Sequence, residues 1–294
     1  MKKMSKKVLL FVGLCCLLQS LKAQDSTENA VPEKSHWEAG LSYLNNSVYL
    51  GRKDTLKVPY LTPSISYYNK SGFYFSSSLS YLNSGGESRI DLFEMTAGYL
   101  FTINKFEGDI SIAKDFYNTQ SKNVKSETKG YTNISLSYDF GFIKPSLQGG
   151  VTFSNKDDYN AGFSLEHSFY AFDDNLEIDP SFLINASTQN YYGSYYTKRR
   201  YSGKRKKQTG PGTIINGYLP NAAEFKIMDY EWSAPVNYSL GKFLFNFTPT
   251  LAMPVNPNIV VLTITPPSGI STTKTRTEKL SNVFFWSAGV TYSF

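Results

Sequence analysis

Apolar and polar side chains alternate strictly through the last segment of the chain and up to its final residue. One face of this segment carries, counted back by two, Phe294, Tyr292, Val290, Ala288, Trp286 and Phe284. The other face carries Ser293, Thr291, Gly289, Ser287 and Phe285. Because successive side chains of a β-strand point to opposite faces, the segment predicts a strand with one apolar and one mainly polar face. Such a strand fits a soluble sandwich or a membrane barrel.

The first 23 residues have the composition of a secretory signal peptide. Lysines precede an apolar stretch at 8–18 that is too short to span a bilayer as a helix, and Leu21-Lys-Ala23 provides a small-residue cleavage site. We therefore predict a signal peptide over 1–23, cleaved after about Ala23, and a disordered polar lead-in over 24–35.

Removal of this leader changes what the composition implies. The formal charge falls from +6 to +1 with the five lysines of 1–23, and both cysteines are lost. The mature chain then has no disulfide or thiolate metal site, and it has no excess of positive charge that would indicate a nucleic-acid partner.

Twelve segments with period-two alternation follow within 36–294, and helical periodicity is absent from them. The segments are 36–46, 56–69, 72–83, 90–103, 106–117, 130–142, 144–155, 160–172, 175–188, 222–240, 242–255 and 280–294. Every second connection is a tight turn, and the connections between those turns are generally longer and more polar. This arrangement predicts an all-β fold: a single transmembrane antiparallel up-and-down β-barrel of about 12 strands, with short periplasmic turns and long extracellular loops.

The apolar residues at every second position of these segments form one face of each strand, which we call the apolar phase. They predict the surface that faces lipid. It includes Trp37, Leu41, Tyr43, Phe73, Phe75, Leu79, Tyr81, Ile134, Leu136, Tyr138, Phe140, Phe142, Phe243, Phe245, Phe247 and Leu251. Pro180, Pro235 and Pro249 also fall inside predicted strands, where each removes a backbone donor, so we expect β-bulges at these points.

The C-terminal octapeptide adds a specific motif to this pattern. In this octapeptide a polar residue and Gly289 precede two aromatic residues spaced by two, Tyr292 and the terminal Phe294. This order resembles the insertion signal of bacterial outer-membrane β-barrels. The resemblance implies location in the cell outer membrane, assembly by the barrel-assembly machinery, and contact with outer-membrane lipid and lipopolysaccharide. The leader ending in Lys-Ala-Gln resembles those common in Bacteroidota, a Gram-negative group. No functional subfamily is implied, so no catalytic residue is carried over.

The polar phase of the predicted strands is acidic. Besides Glu38 and Asp115, it carries Glu94, Glu107, Asp109, Asp139, Glu166, Glu177, Asp179, Asp229 and Glu231, against Lys144 as the only firmly placed base. One interpretation is a pore lining that concentrates cations and repels anions. The other is an ordinary polar interior whose carboxylates pair with loop cations or water.

The longest predicted loop is rich in tyrosine and strongly basic. Its cations are Lys198, Arg199, Arg200, Lys204, Arg205, Lys206 and Lys207. The run is consistent with a solvated loop tip, with a plug folded onto the acidic interior, or with an outward surface that binds lipopolysaccharide phosphate or polysaccharide.

Enzymatic and metal chemistry have little support in the sequence. There are two histidines, and His167 lies on the apolar phase while Ser168 lies on the opposite one, so this pair cannot act as nucleophile and base. Asp157-Asp158 is interpreted as a hydrated turn. The mature sequence has no cysteine, no histidine pair at ligand spacing and no calcium-binding loop. No metal or cofactor is therefore expected.

The sequence therefore predicts a narrow, cation-preferring outer-membrane pore for small solutes, constricted by the basic loop. The alternative is a non-conducting barrel whose outer loops bind surface polysaccharide or lipopolysaccharide. A third hypothesis is an outer-membrane hydrolase.

Overall fold

A computed structural model describes residues 31–54, 57–84, 86–195 and 214–294. The predicted signal peptide, most of the predicted lead-in and the basic run at 198–207 lie outside these ranges. Residues 31–35, the end of the predicted lead-in, have no regular secondary structure.

The described residues form a series of β-strands and one short helix. The first half of the chain contains β1 (His36–Leu44), β2 (Val48–Tyr49), β3 (Arg52–Lys53), β4 (Tyr60–Tyr68), β5 (Phe73–Ser84), β6 (Glu87–Ile103), β7 (Phe106–Tyr117), β8 (Gly130–Tyr138) and β9 (Lys144–Phe153). The second half contains β10 (Asp158–Glu166), β11 (Phe169–Ala171), β12 (Leu176–Ile178), β13 (Ser181–Ser187), α1 (Asn190–Tyr195), β14 (Ile214–Tyr218), β15 (Lys226–Ser233), β16 (Val236–Leu240), β17 (Phe243–Pro254), β18 (Ile259–Thr265), β19 (Thr272–Thr277) and β20 (Val283–Ser293). No helix in the described ranges is long and apolar enough to cross a membrane.

Twelve antiparallel strands close into a barrel. The order is β1-β4-β5-β6-β7-β8-β9-β10-β13-β15-β17-β20, and β20 pairs back with β1. The seam ends with two backbone hydrogen bonds, from Trp37 N to Phe294 O at 3.1 Å and from Phe294 N to Trp37 O at 2.9 Å. The predicted fold class and strand number are confirmed.

Three barrel strands are interrupted close to the end of the barrel that holds both chain termini. β11, β12 and β16 continue the lines of β10, β13 and β15 beyond short gaps, and Pro180 and Pro235 stand in two of these gaps. The pairing Glu166↔Ser181 resumes as Phe169↔Ile178, so the register is unchanged across the gap. The expectation of bulges at the prolines is therefore wrong: the missing N–H groups interrupt the ladder locally without shifting it.

Register shifts occur instead at two other places in the barrel. One lies opposite Ser80 and Tyr81, where Asp91 is the extra residue of β6. The other lies opposite Asn185 and Ala186, where Met228 is the extra residue of β15. Beyond such a bulge, a residue that strict alternation would place on one face of the sheet lies on the other face.

The outer surface of the barrel is apolar. Its strands expose Ile134, Leu136 and Phe243 to 50%, 44% and 45%, respectively, while the side chains between them point inward. Aromatic pairs line the terminal end, with ring centroids 4.6 Å apart for Phe106 and Tyr138 and 4.9 Å apart for Phe243 and Tyr292. Such a belt with an aromatic rim matches the lipid-facing surface of a transmembrane barrel.

The connections differ between the two ends. Those at the terminal end are 69–72, 104–105, 139–143, 172–175 and 241–242. Those at the opposite end, which we call the loop end, are 45–59, 85–86, 118–129, 154–157, 188–225 and 255–282. Four of these six loops are long and two are short. We refer to the long ones, at 45–59, 118–129, 188–225 and 255–282, as the first, third, fifth and sixth outer loops.

The opposite faces of β8 provide a test of the lipid-facing assignment. Ile134→Arg places a charge in the middle of the apolar belt and should lower the free energy of unfolding by about 2–4 kcal/mol. Ser135→Arg, one residue later, points inward and should cost less than about 1 kcal/mol because the interior is polar. Urea unfolding in lipid vesicles measures both values, and equal losses for the two variants would contradict the assignment.

Candidate pore and its loop plug

Small residues, mainly serine and glycine, occupy many of the inward positions of the barrel. The inward positions include Gly40, Ser64, Ser66, Ser76, Ser78, Gly98, Ser111, Ser135, Ser137, Ser146, Gly150, Gly162, Ser164, Ser181 and Ser233. Such residues extend little into the barrel, so they leave interior volume that larger side chains would fill.

Most of the predicted interior carboxylates lie on the inward phase of the strands. These are Glu94, Glu107, Asp109, Glu166, Glu177, Asp179, Asp229 and Glu231, together with Glu38 and Asp115. Asp139 is different: β8 ends at Tyr138, and Asp139 belongs to the following turn, where its Oδ1 accepts a hydrogen bond from Gly141 N. Its backbone N–H donates to Lys105 O at 3.0 Å, so the pore-lining role of Asp139 stays a prediction.

Some of these carboxylates have partners in the wall itself. Lys144 Nζ donates to Glu107 Oε2 at 2.6 Å, and both side chains are about nine-tenths buried. Lys144 also stands opposite Glu166 in the pairing of β9 and β10. Asp109 accepts a hydrogen bond from the Tyr74 hydroxyl at 3.1 Å. The Lys144 ammonium therefore balances part, but not all, of the negative charge at the terminal end.

Two adjoining cavities lie against the inner wall formed by β7, β8, β9 and β10. The cavity nearer the terminal end has a volume of about 240 Å³ and is lined by Asp109, Asn133, Ser135, Ser137, Lys144, Ser146, Gln148, Ser164 and Glu166. The other has a volume of about 210 Å³ and reaches Tyr49 and Lys125 of the outer loops. Asn133 and Gln148 line both cavities, so the two volumes meet at these side chains.

Asp91 is an interior carboxylate that strict period-two counting misses. Counting back from Glu94 places it outside, but the bulge in β6 turns it inward, where it is fully buried. Its side chain accepts hydrogen bonds from the hydroxyls of Tyr60 and Ser121 at 2.5 and 2.6 Å and pairs with Arg89 Nε at 2.8 Å. Asp91 thereby links the wall to the third outer loop.

The outer loops pack together at the loop end around a hydrophobic cluster. Its buried members are Leu50, Val124, Tyr191, Tyr192, Leu219, Met228, Val260 and Leu262. They come from the first, third, fifth and sixth outer loops and from the bulge of β15. Burial raises the pKa of the Tyr191 hydroxyl well above its usual range. The loop end is therefore covered by a packed layer, which we call the loop plug.

Arg52 connects the first outer loop to its neighbours. It is 2% exposed, and its Nη1 donates to the carbonyls of Leu50 at 2.9 Å and Met228 at 2.7 Å. Its Nη2 donates to the carbonyls of Val255 at 3.0 Å and Asn256 at 3.2 Å. A Cβ at the neighbouring Gly51 would lie 2.6 Å from Pro254 Cβ, so the loop tip needs glycine to approach β17.

Two buried carboxylates hold the fifth outer loop. The two oxygens of Asp158 accept from Thr188 Oγ1 and Asn190 N, both at 2.6 Å, and from Tyr191 N at 2.8 Å. Glu278 accepts from the Tyr192 hydroxyl at 2.7 Å. The interpretation of Asp157-Asp158 as a hydrated turn is wrong for Asp158, which is fully buried and caps α1.

The other described residues that the sequence singles out lie apart from the two cavities. Tyr292 and Phe294 stack on the outer face with ring centroids 6.0 Å apart, and Gly289 faces inward beside Asn246. His167 packs edge-on against Phe169, while His36 is paired with Glu38 at the terminal end. No group of three or more metal-ligating side chains occurs in the described part of the chain.

Comparison with known proteins gives similarity to solved structures only. No family model and no curated protein matches the sequence. The KdgM porin is 10% identical with a TM-score of 0.43, over 88% of this chain and 99% of that one. The NanC porin is 10% identical with a TM-score of 0.44, over 88% and 100%. An outer-membrane channel from Pseudomonas putida F1 is 8% identical with a TM-score of 0.45, over 92% and 100%. The barrel assignment itself rests on the strand pairing described above.

The contacts of Arg52 predict how the first outer loop responds when the Arg52 guanidinium is removed. Arg52→Met should reduce hydrogen-exchange protection of the first outer loop by about a hundredfold, because hydrogen bonds from a charged donor are each worth about 1.5–3 kcal/mol. Lys53→Met is the matched control, since Lys53 is exposed. Hydrogen-exchange mass spectrometry measures both variants, and unchanged protection in Arg52→Met would contradict the role of Arg52.

Proposed function

We propose that this protein is an outer-membrane channel for small polar solutes, with a preference for cations. The observation that carries the proposal is the pair of adjoining cavities along the inner wall. They connect the underside of the loop plug with the carboxylates near the terminal end, and hydroxyl, amide and carboxylate groups line them. Short polar side chains of this kind replace the hydrogen bonds of a hydrated solute without filling its path.

The charge of the wall supports the cation preference. Inward carboxylates occur on about half of the barrel strands, and the basic side chains on the inward phase of the described barrel strands are Lys144, Arg89 and Lys226. A wall with surplus negative charge and low-dielectric surroundings raises the local concentration of cations and excludes anions.

The loop plug favours a second candidate function, a non-conducting scaffold. Its hydrophobic cluster packs four long loops together at the loop end. Such a layer could form a fixed outward surface that binds polysaccharide or lipopolysaccharide. Planar-bilayer recording separates the two functions, because a channel gives conductance steps and a scaffold gives none.

We also propose that the C-terminal strand directs assembly. Phe294 is 54% exposed on the outer face, beside Tyr292, so both rings are available to the barrel-assembly machinery and afterwards to lipid.

The carboxylates around the larger cavity allow a direct test of selectivity. Asp109→Asn combined with Glu166→Gln should lower the cation-to-anion permeability ratio about two- to threefold, because both side chains border the solute path. The measurement is the reversal potential under a salt gradient. Glu224→Gln is the control with an exposed carboxylate, and an equal effect of this control would argue against selection inside the barrel.

We further propose that the basic run at 198–207 constricts this channel. The helix α1 that precedes it is anchored in the loop plug through Tyr191 and Tyr192, and β14 that follows it pairs with β18. The described residues on either side of the run are therefore fixed among the outer loops, at the end of the barrel opposite the chain termini.

Reversal of four charges tests this constriction. We expect a higher open probability at low salt in the variant that replaces four cations by Glu, because attraction to the wall becomes repulsion. The four positions are Lys204, Arg205, Lys206 and Lys207. The increase should shrink near 1 M salt, where the screening length falls to about 3 Å. Lys274→Glu with Arg276→Glu, in the exposed β19, is the control. Single-channel recording gives both values, and no change at low salt would contradict the constriction.

A further inference from the structure

The Lys125 ammonium lies between two tyrosine rings at the edge of the smaller cavity. Its Nζ is 4.9 Å from the ring centroid of Tyr49 and 4.9 Å from that of Tyr131. Both distances are within the range in which a cation is attracted to the face of an aromatic ring. Tyr49 belongs to the first outer loop and Tyr131 to the inner wall, so the two rings approach the cation from different elements.

Carboxylates complete the surroundings of this ammonium. The Tyr131 hydroxyl and the Lys125 ammonium both lie close enough to the Glu94 carboxylate to act on it electrostatically. Glu94 stands opposite Asp115 in the pairing of β6 and β7. Asp115 is 4% exposed; its Oδ2 accepts from Thr128 Oγ1 at 3.1 Å, and its Oδ1 has no donor in the described ranges. Two rings and the Glu94 carboxylate therefore surround one cation, and Asp115 adds a second carboxylate next to Glu94.

Lys125 reaches this position because its backbone is fixed in the third outer loop. Its N–H donates to Asn123 Oδ1 at 2.9 Å, and its carbonyl accepts from Thr128 N at 2.8 Å. Asn123 in turn donates to Ser47 Oγ at 3.0 Å. These bonds hold the backbone and not the side chain, so a change in the position of the ammonium would leave the loop in place.

We propose that Tyr49, Tyr131 and the Glu94–Asp115 pair form a binding site for an organic ammonium group, and that Lys125 occupies it as a tethered internal cation. A solute with an ammonium group would displace the Lys125 side chain and enter the cavity of about 210 Å³ that these residues border. The proposal depends on the channel function only for the site's position on the solute path. It assigns amine-bearing compounds as the class of solute recognised there.

Choline and its uncharged analogue 3,3-dimethyl-1-butanol are suitable probes because they have similar shapes and differ in charge. We expect Lys125→Met to bind choline about tenfold more tightly than the unaltered protein, because the internal competitor is removed. Binding of the analogue should not change. Lys122→Met is the matched control, since Lys122 belongs to the same loop but pairs with Glu87. Calorimetric titration in detergent at low salt gives these affinities.

The site itself is tested in the Lys125→Met background. Addition of Tyr131→Leu or Glu94→Gln should weaken choline binding about fivefold or more, whereas Tyr68→Leu, elsewhere on the inner wall, should not. The proposal is overturned if Lys125→Met gains no affinity, if Lys122→Met gains as much, or if the uncharged analogue gains equally.

A measurement on the unaltered protein does not depend on the folding of any variant. Choline should expose the Lys125 amine and raise its rate of acetylation severalfold, with Lys122 as the internal reference. An unchanged Lys125 rate at saturating choline would overturn the proposal. Because neither measurement requires conduction, a barrel that is silent in a bilayer but binds choline would reject the channel and retain the site. A conducting barrel without choline binding would reject only the site.

Discussion

Closure of the backbone hydrogen-bond ladder is the constraint on which the rest of the molecule depends. In lipid every unpaired N–H or C=O is costly, so the first and last strands must pair with one another. They do so along most of their length, from Glu38 opposite Ser293 to Leu44 opposite Ser287. With the backbone satisfied internally, side chains on the outer face are free to be apolar, and those on the inner face can be small and polar.

The interior and the loop plug have opposite consequences for permeability. The wall is built from short side chains that leave space, whereas the loop end is filled by buried tyrosine and aliphatic side chains. The contacts of the plug are unevenly distributed. Arg52, Asp158 and Glu278 hold the first, fifth and sixth outer loops through buried polar contacts. The third outer loop also reaches into the smaller cavity through Lys125. Both cavities lie along the wall near β8 and β9, and the smaller one reaches the first and third outer loops.

Most of the barrel could be predicted from the sequence, because period two is a local property of each strand. The twelve strands and the phase of nearly every interior carboxylate follow from it. Asp91 could not be predicted, since the inserted residue of a bulge reverses the phase and leaves no trace in composition. The loop plug was missed for another reason: Leu50, Val124 and Tyr191 are far apart in sequence and lie in loops without periodicity, so only the fold brings them together.

The way in which Arg52 binds its neighbours has a consequence for the divergence of related chains. Its acceptors are the carbonyls of Leu50, Met228, Val255 and Asn256, and every amino acid supplies a carbonyl. Substitutions at the acceptor positions therefore leave the bonds in place, while replacement of the arginine removes all of them together. Pairwise covariation would therefore record no signal between position 52 and these four acceptor positions, although the contact holds two loops and a strand together. Glu278, whose carboxylate lies 3.9 Å from Arg52 Nη2, is a side-chain partner to which this reasoning does not apply. In an alignment, such bonds would appear as an invariant arginine that does not covary with the residues whose carbonyls it binds.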